Sequence, residues 1–259
     1  LVYYERGTKV SVEITQEGNF MIEEEALFEA TDYFQPFPEL ENVFSTNVEK
    51  HSEYFLPLAM VKLSHINPGW EGFLPIVTSI EPEVGQLGEG REKHHSYLTR
   101  QNWIGFHVRD GKVEYAGDWK MFERDEHEDY YKAVHKGYQR AKAYHEEHEC
   151  LRPYRGGDDP YLTRMVCMGY LGGAAGRGNW VGYSNFPTEQ TGEYSDKDGK
   201  KWDIMSPMTE DGRPFEFIGY FPLFAFIHGD GPAKWALGCY FQVFYDSQEK
   251  IMVGTFDWT

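Results

Sequence analysis

Basic residues are scarce in this chain: 25 Lys and Arg stand against 42 Asp and Glu over 259 residues, a formal net charge of -17. Phosphate affinity comes from Lys and Arg displacing condensed counterions, so the shortage argues against a nucleic-acid partner and equally against an anionic membrane surface. Cationic partners are favoured instead. Cysteine is sparser still. Cys150, Cys167 and Cys239 are odd in number and form no CxxC pair, which suits reduced thiols in a cytoplasmic protein better than a disulfide framework. Long apolar runs are missing as well: the longest, around residues 221–227, is broken by Pro222 and is too short to span a bilayer, so a soluble protein is expected. No charged and apolar leader opens the sequence. Leu1 in place of Met implies a processed or trimmed start that leaves room for a removed signal, so the periplasm stays open beside the cytoplasm that the thiols favour.

What is present is a folding composition. Hydrophobic residues make up 41 % and aromatic residues 17 %, far above what an acidic disordered chain carries. A chain of this length buries roughly 70 to 75 % of its unfolded surface without staples. Alternation over residues 10–14, turn residues at 16–19, then Phe20 and Ile22 read as a hairpin. Residues 23–53 lack sustained periodicity and read as mostly loop with one short helix. Strands are expected at 56–63 and 73–80 around an Asn67-Pro68-Gly69 turn, and a Gly- and Glu-rich surface loop at 81–93. Asp110-Gly111 between 103–108 and 113–115 is the clearest hairpin signal, because both residues tolerate the positive φ of a type I′ turn. One long helix is expected over about 125–150, with Tyr131, Val134, Tyr138, Ala141, His145 and His148 recurring along one face. Breakers at 151–160 divide an N-terminal region, 1–152, from a mainly-β region, 158–259, with strands at 215–221, 239–245 and 251–258. The fold class is therefore α+β, largely antiparallel sheet with one long helix.

Candidate chemistry is thin. The glycines of residues 169–178 could let backbone amides approach an anion, but Asn179 and Trp180 follow where a phosphate loop needs Lys and then Ser or Thr, so tight turns or bulges are expected. His145 and His148 stand three apart and lack the zincin pattern, so a satisfied, partly buried helix end is expected there rather than a metal site. His94 and His95 are expected to face solvent. Ser184 lacks the second glycine of a nucleophile elbow, and Cys167 sits between apolar neighbours like an inert buried thiol. Asp158 and Asp159, beside Pro160, suggest helix capping. Among Trp180, Tyr183, Trp202, Trp235, Tyr240 and Trp258, core packing is a better expectation than a stacking platform. No catalytic set, cofactor or metal site is assigned.

Leu171-Gly172-Gly173, Pro187, the run from Glu210-Asp211-Gly212-Arg213-Pro214 to Phe221, the strand Gly238 to Tyr245 and Phe256-Asp257-Trp258 follow one another in an order that resembles the bacterial YwqG-like family. The resemblance covers about residues 169–259, and residues 58–66 loosely match the same family's buried strand. It departs at Tyr220, where the family typically has Gln, and in the order of Asp257 and Trp258. The resemblance implies an α+β protein with antiparallel sheets, without established catalytic residues, and similar to domains carried beside bacterial toxin and immunity genes. Together with the charge, this leads to a non-enzymatic binding protein as the expected function, an immunity protein that occludes a basic toxin or effector. The candidate docking residues are Glu81, Glu83, Glu89 and Glu92 in the loop, and Glu126, Glu128 and Asp129 at the helix. The alternative is a hydrolase or a small-ligand or metal-binding module near the glycine-rich segment.

Overall fold

Apolar runs without alternation mark strands covered on both faces, and two such runs form the middle of the molecule. In the computed structural model, which describes residues 27, 29–80, 87–152, 169–182, 185–195, 199–228, 236 and 238–258, they are strands β2 (Phe55–Lys62) and β3 (Phe73–Ser79). With β1 (Phe34–Pro36) they make a three-stranded antiparallel sheet of order β1-β2-β3. Pro57 cannot donate to a ladder, and it sits where the β2–β3 register shifts, beyond the reach of β1. The hairpin expected at residues 10–22 lies outside the described residues. Residues 23–53 correct an expectation of mostly loop: β1 is followed there by helices α1 (Leu40–Val43) and α2 (Val48–Tyr54), and a one-turn helix, α3 (Leu63–Ile66), stands between β2 and β3. Elements this short complete too few turns for a periodic signature.

The second sheet is antiparallel and six-stranded, in the order β5-β4-β11-β10-β9-β6. Its strands are β4 (Trp103–Arg109), β5 (Lys112–Tyr115), β6 (Tyr170–Leu171), β9 (Glu216–Pro222), β10 (Cys239–Asp246) and β11 (Ile251–Trp258). Strands from both sides of residue 152 therefore share one sheet. The β4–β5 turn has Asp110 and Gly111 at φ 51° and 73°, as the hairpin signal requires. Alternation assigns the faces. Ile104, Phe106, Phe241, Val243, Tyr245, Met252 and Phe256 point towards the three-stranded sheet, where Phe55 meets Phe106 at 5.0 Å between ring centroids. Trp103, Phe217, Phe244 and Val253 point the other way, under Trp180, Phe186 and Met205. Met205 belongs to β8 (Lys201–Pro207), which pairs with β7 (Thr188–Ser195) in a two-stranded ribbon in which no β7 residue is fully buried.

Helix α4 (Glu128–His148) covers the β2 side, and Tyr138 donates its hydroxyl hydrogen to the Pro57 carbonyl at 2.6 Å. Tyr131, Val134, Tyr138 and Ala141 are buried, as the spacing predicts. The helix is shorter than expected at its start, because His127 at φ −129°, ψ 34° separates it from a 3₁₀ turn, Arg124–Glu126. It ends where Glu149 takes the left-handed conformation, φ 57°. The stripe also ends early. His145 is half-buried and His148 is exposed.

Candidate functional site: the acidic end of the long helix

Of the seven carboxylates singled out by sequence, Glu81 and Glu83 lie outside the described residues. The other five, Glu89, Glu92, Glu126, Glu128 and Asp129, are all exposed. The structure joins what the sequence offered as two separate stretches. Arg91, between Glu89 and Glu92, donates to Glu123 at 3.2 Å and also to Glu126, tying the loop to the turn that leads into α4. Glu92 accepts from the Gly90 N–H at 3.1 Å, and bonds from its own N–H and that of Gly90 hold its carboxyl below the usual range. Glu128 pairs with Lys132 at 2.8 Å, which holds its carboxyl below the usual range and raises the lysine.

Glu128, Tyr131, Lys132 and His135 stand at i, i+3, i+4 and i+7, and that spacing puts all four on one face of α4. Facing them are Ser52 and Glu53 of α2 and Arg124 of the 3₁₀ turn, and together they enclose a cleft of about 260 Å³. Arg124 bonds Glu53 at 3.5 Å, lies 3.9 Å from Asp125 and rests over the Tyr54 ring at 5.7 Å. Burial pushes the His135 imidazole below its ordinary value, while the Glu53 backbone carbonyl bonds the ring and opposes the shift. Ser52 donates its hydroxyl hydrogen to the Glu49 carbonyl at 2.7 Å. Sequence reasoning reached Glu128 and missed Ser52, Glu53 and His135. The i, i+3, i+4, i+7 spacing was visible, but the facing wall comes from a helix 70-odd residues upstream.

The glycine-rich segment answers a different question. Gly172 and Gly173 take positive φ, 70° and 79°, as expected of tight turns. At the segment's end a short helix, Asn179–Gly182, begins against Asp257 of β11. The Asp257 carboxylate accepts from the Trp180 N–H at 3.4 Å, from the Asn179 N–H, from Tyr220 at 3.3 Å and from Gln242 at 3.3 Å. A side chain at Gly178 would meet that carboxylate at 2.7 Å. The amides that could have cradled a ligand's anion thus hold the chain's own. Burial raises the Asp257 carboxyl, and the N–H donors oppose this.

Several expectations need correction. His145 is not satisfied among the described residues: its Nε2 is buried with no hydrogen-bond partner in them, and burial lowers its titration. His94 and His95 do not face solvent freely. Both are half-buried, His94 on Asp118 at 2.7 Å and His95 on the Gly88 carbonyl at 2.8 Å. Trp180 and Trp258 pack as core residues, whereas Trp202 is 38 % exposed on the ribbon. Among the described residues no three His, Cys, Asp or Glu side chains gather as a metal site would need. Cys167, Ser184, Asp158 and Asp159 lie outside the described residues. Comparison with protein-family models, curated proteins and solved structures gives no match.

Proposed function

We propose that this chain is a non-enzymatic bacterial binding protein, an immunity protein of YwqG-like character that neutralises a toxin by covering it with an acidic surface. The observation that supports the reading best is the meeting of the two acidic stretches. Arg91 draws the loop of Glu89 and Glu92 against the turn of Glu126, and Glu128 and Asp129 open the helix beside it. An overall charge of -17 raises the encounter rate with a basic partner, and a localised acidic face orients it.

The reading is tested by affinity capture on the immobilised chain from extracts of its native cell, followed by co-expression. A basic protein is expected to be retained at low ionic strength and released as salt rises. Expressed alone, that protein should arrest growth, and expressed with this chain it should not. Arrest that persists in the presence of the chain, or a capture indifferent to salt, overturns the reading.

A further inference from the structure

A sheet edge is a row of backbone donors and acceptors that something must cover. Two edges in this fold are covered from within. At β5 the Ser45 N–H donates to the Val113 carbonyl at 3.1 Å, and the Tyr115 N–H donates to His51 Nε2 at 3.1 Å. On the far side of β8 the Met205 N–H donates to the Ala175 carbonyl at 2.9 Å, and Gly176 bridges Ile204. Among the described residues the outer side of β7 has no such cover: no backbone group of residues 188–193 bonds backbone beyond the β7–β8 ladder. The strand is eight residues long and carries neither the Lys nor the Pro that commonly blunts an edge. Its register shift between Gln190 and Gly192 twists the strand but fills none of its outward groups.

The charge on this edge indicates what would cover it. Glu189 and Glu193 are exposed, β7 has no basic residue, and Glu193 stands directly opposite Asp203, a like-charge pairing that a ladder disfavours. Lys201 lies 3.1 Å from Glu193 and Arg177 lies 3.5 Å from Asp203, but all four side chains are more than a third exposed, so water weakens both pairs. A second copy of the chain would set two more acids against this edge, on a molecule of charge -17, and is the wrong occupant. We propose that an extended basic segment of a partner protein adds to β7 as a third strand of the ribbon, its main chain pairing with the open edge and its cationic side chains flanking Glu189 and Glu193. Trp202, an exposed large hydrophobic side chain, pairs across the ribbon with Tyr194, and the Lys200 ammonium lies 3.7 Å over its ring. The alkyl stems of lysines or arginines in an added strand would extend that aromatic row. This rests on the basic-partner reading above and gives the partner a conformation and a second point of contact, on the ribbon.

The probe is a fluorescein-labelled peptide of four Thr-Lys repeats, read by fluorescence anisotropy on the full chain at low ionic strength. Threonine favours the extended state, and the alternation puts every lysine on one face. Two derivatives keep its charge and order: one methylated on the threonine amides, the other on the lysine amides. Alternate N–H groups of a strand point to opposite edges, so one derivative should bind about tenfold more weakly and the other within about 2-fold of the parent peptide. Hydrogen exchange at the amides of residues 188–193 should slow when the peptide binds. Glu189→Gln with Glu193→Gln should weaken binding about 3-fold. Glu71→Gln with Glu146→Gln removes the same charge from exposed positions off the ribbon and should cost less than about 2-fold. Circular dichroism confirms the fold of each variant. Equal affinity of the two methylated peptides, unchanged exchange at β7, or equal losses in the two double variants overturns the added strand while leaving a diffuse acidic surface standing. Failure of the chain to bind the parent peptide at all overturns the basic-partner reading itself.

Discussion

Asp246 and Glu128 each hold a cation at nearly the same distance, Asp246 taking two guanidinium N–H bonds from Arg213 at 2.9 Å each and Glu128 taking Lys132 at 2.8 Å. The side chain of Asp246 is 4 % exposed and that of Glu128 is 65 % exposed. Distance therefore does not measure what a contact is worth. In the six-stranded sheet a carboxylate out of water depends on its partner, since an unpaired buried charge is costly. At the cleft, water can take the partner's place. The sheet uses its acids to stay folded, and the cleft keeps its acids exchangeable.

The largest break in that comparison comes from removing the sheet's room to adjust. Gly254 faces the ring of Phe241 across the β10–β11 ladder, and a Cβ there would lie 2.2 Å from Phe241 Cζ. Phe241 is fully buried, so it cannot swing aside. Gly254→Ala is expected to destabilise by roughly 3 kcal/mol, the upper range for overpacking, as read from the denaturant midpoint. A variant as stable as the parent would show slack in the sheet.

Next in size is Arg213→Met, which strands the Asp246 carboxylate. Asp211 also bonds this arginine, at 2.8 Å, so the turn at 209–213 and the end of β10 loosen together. Thermal melting at neutral pH is expected to fall by about 5 °C or more. Adding Asp246→Asn should recover part of the loss, because the stranded charge is then gone. A double variant no better than the single one would mean that geometry, and not charge, is what Arg213 supplies.

Acid is expected to act through buried histidines. His51 bonds the Asn47 carbonyl through Nδ1 at 3.1 Å and accepts the Tyr115 N–H on Nε2 at 3.1 Å, so protonation would take that acceptor from the β5 backbone. Burial lowers His51, His135, His145 and His228, the last to about 4, where Arg152 and Arg140 add to the effect. Between the unfolded value of about 6.5 and these lowered values the unfolded chain binds more protons, so stability rises with pH. This stability is complete above about pH 6.5 and is lost as pH falls towards 4. Thermal melts across that range should descend, and His228→Phe should flatten the descent. A profile unchanged by the substitution would remove His228 from the account.

Much of the sheet was legible because its signals are local. Residues 239–245 and 251–258 read as strands from their own composition, the Asp110-Gly111 pair gave the β4–β5 turn, and three- and four-residue steps gave the buried face of α4. The helix boundary failed at His127 because its backbone angles depend on the turn packed before it. The candidate site was legible only on one wall. Glu126, Glu128 and Asp129 stand out as a run, but Glu53 and Ser52 face Glu128 through the packing of α2, and no spacing rule relates residue 53 to residue 128. His145 failed in a further way: its place on the apolar stripe was readable, but whether a partner waited for Nε2 was not.

The smallest expected effect on stability sharpens the comparison most. Glu128→Gln and Lys132→Met each break the Glu128–Lys132 pair, and each group keeps access to water on doing so. Melting temperatures of both variants should stay within about 1 °C of the parent, as for most exposed pairs. The sign of any residue is informative. Lys132 is four residues after Glu128, the favourable order for an i, i+4 pair, and Glu128 also sits at the positive end of the helix. Glu128→Gln therefore loses two small contributions and Lys132→Met loses one, so the first should melt no later than the second. A drop of several degrees in either variant would mean that the pair helps hold α4 to α2.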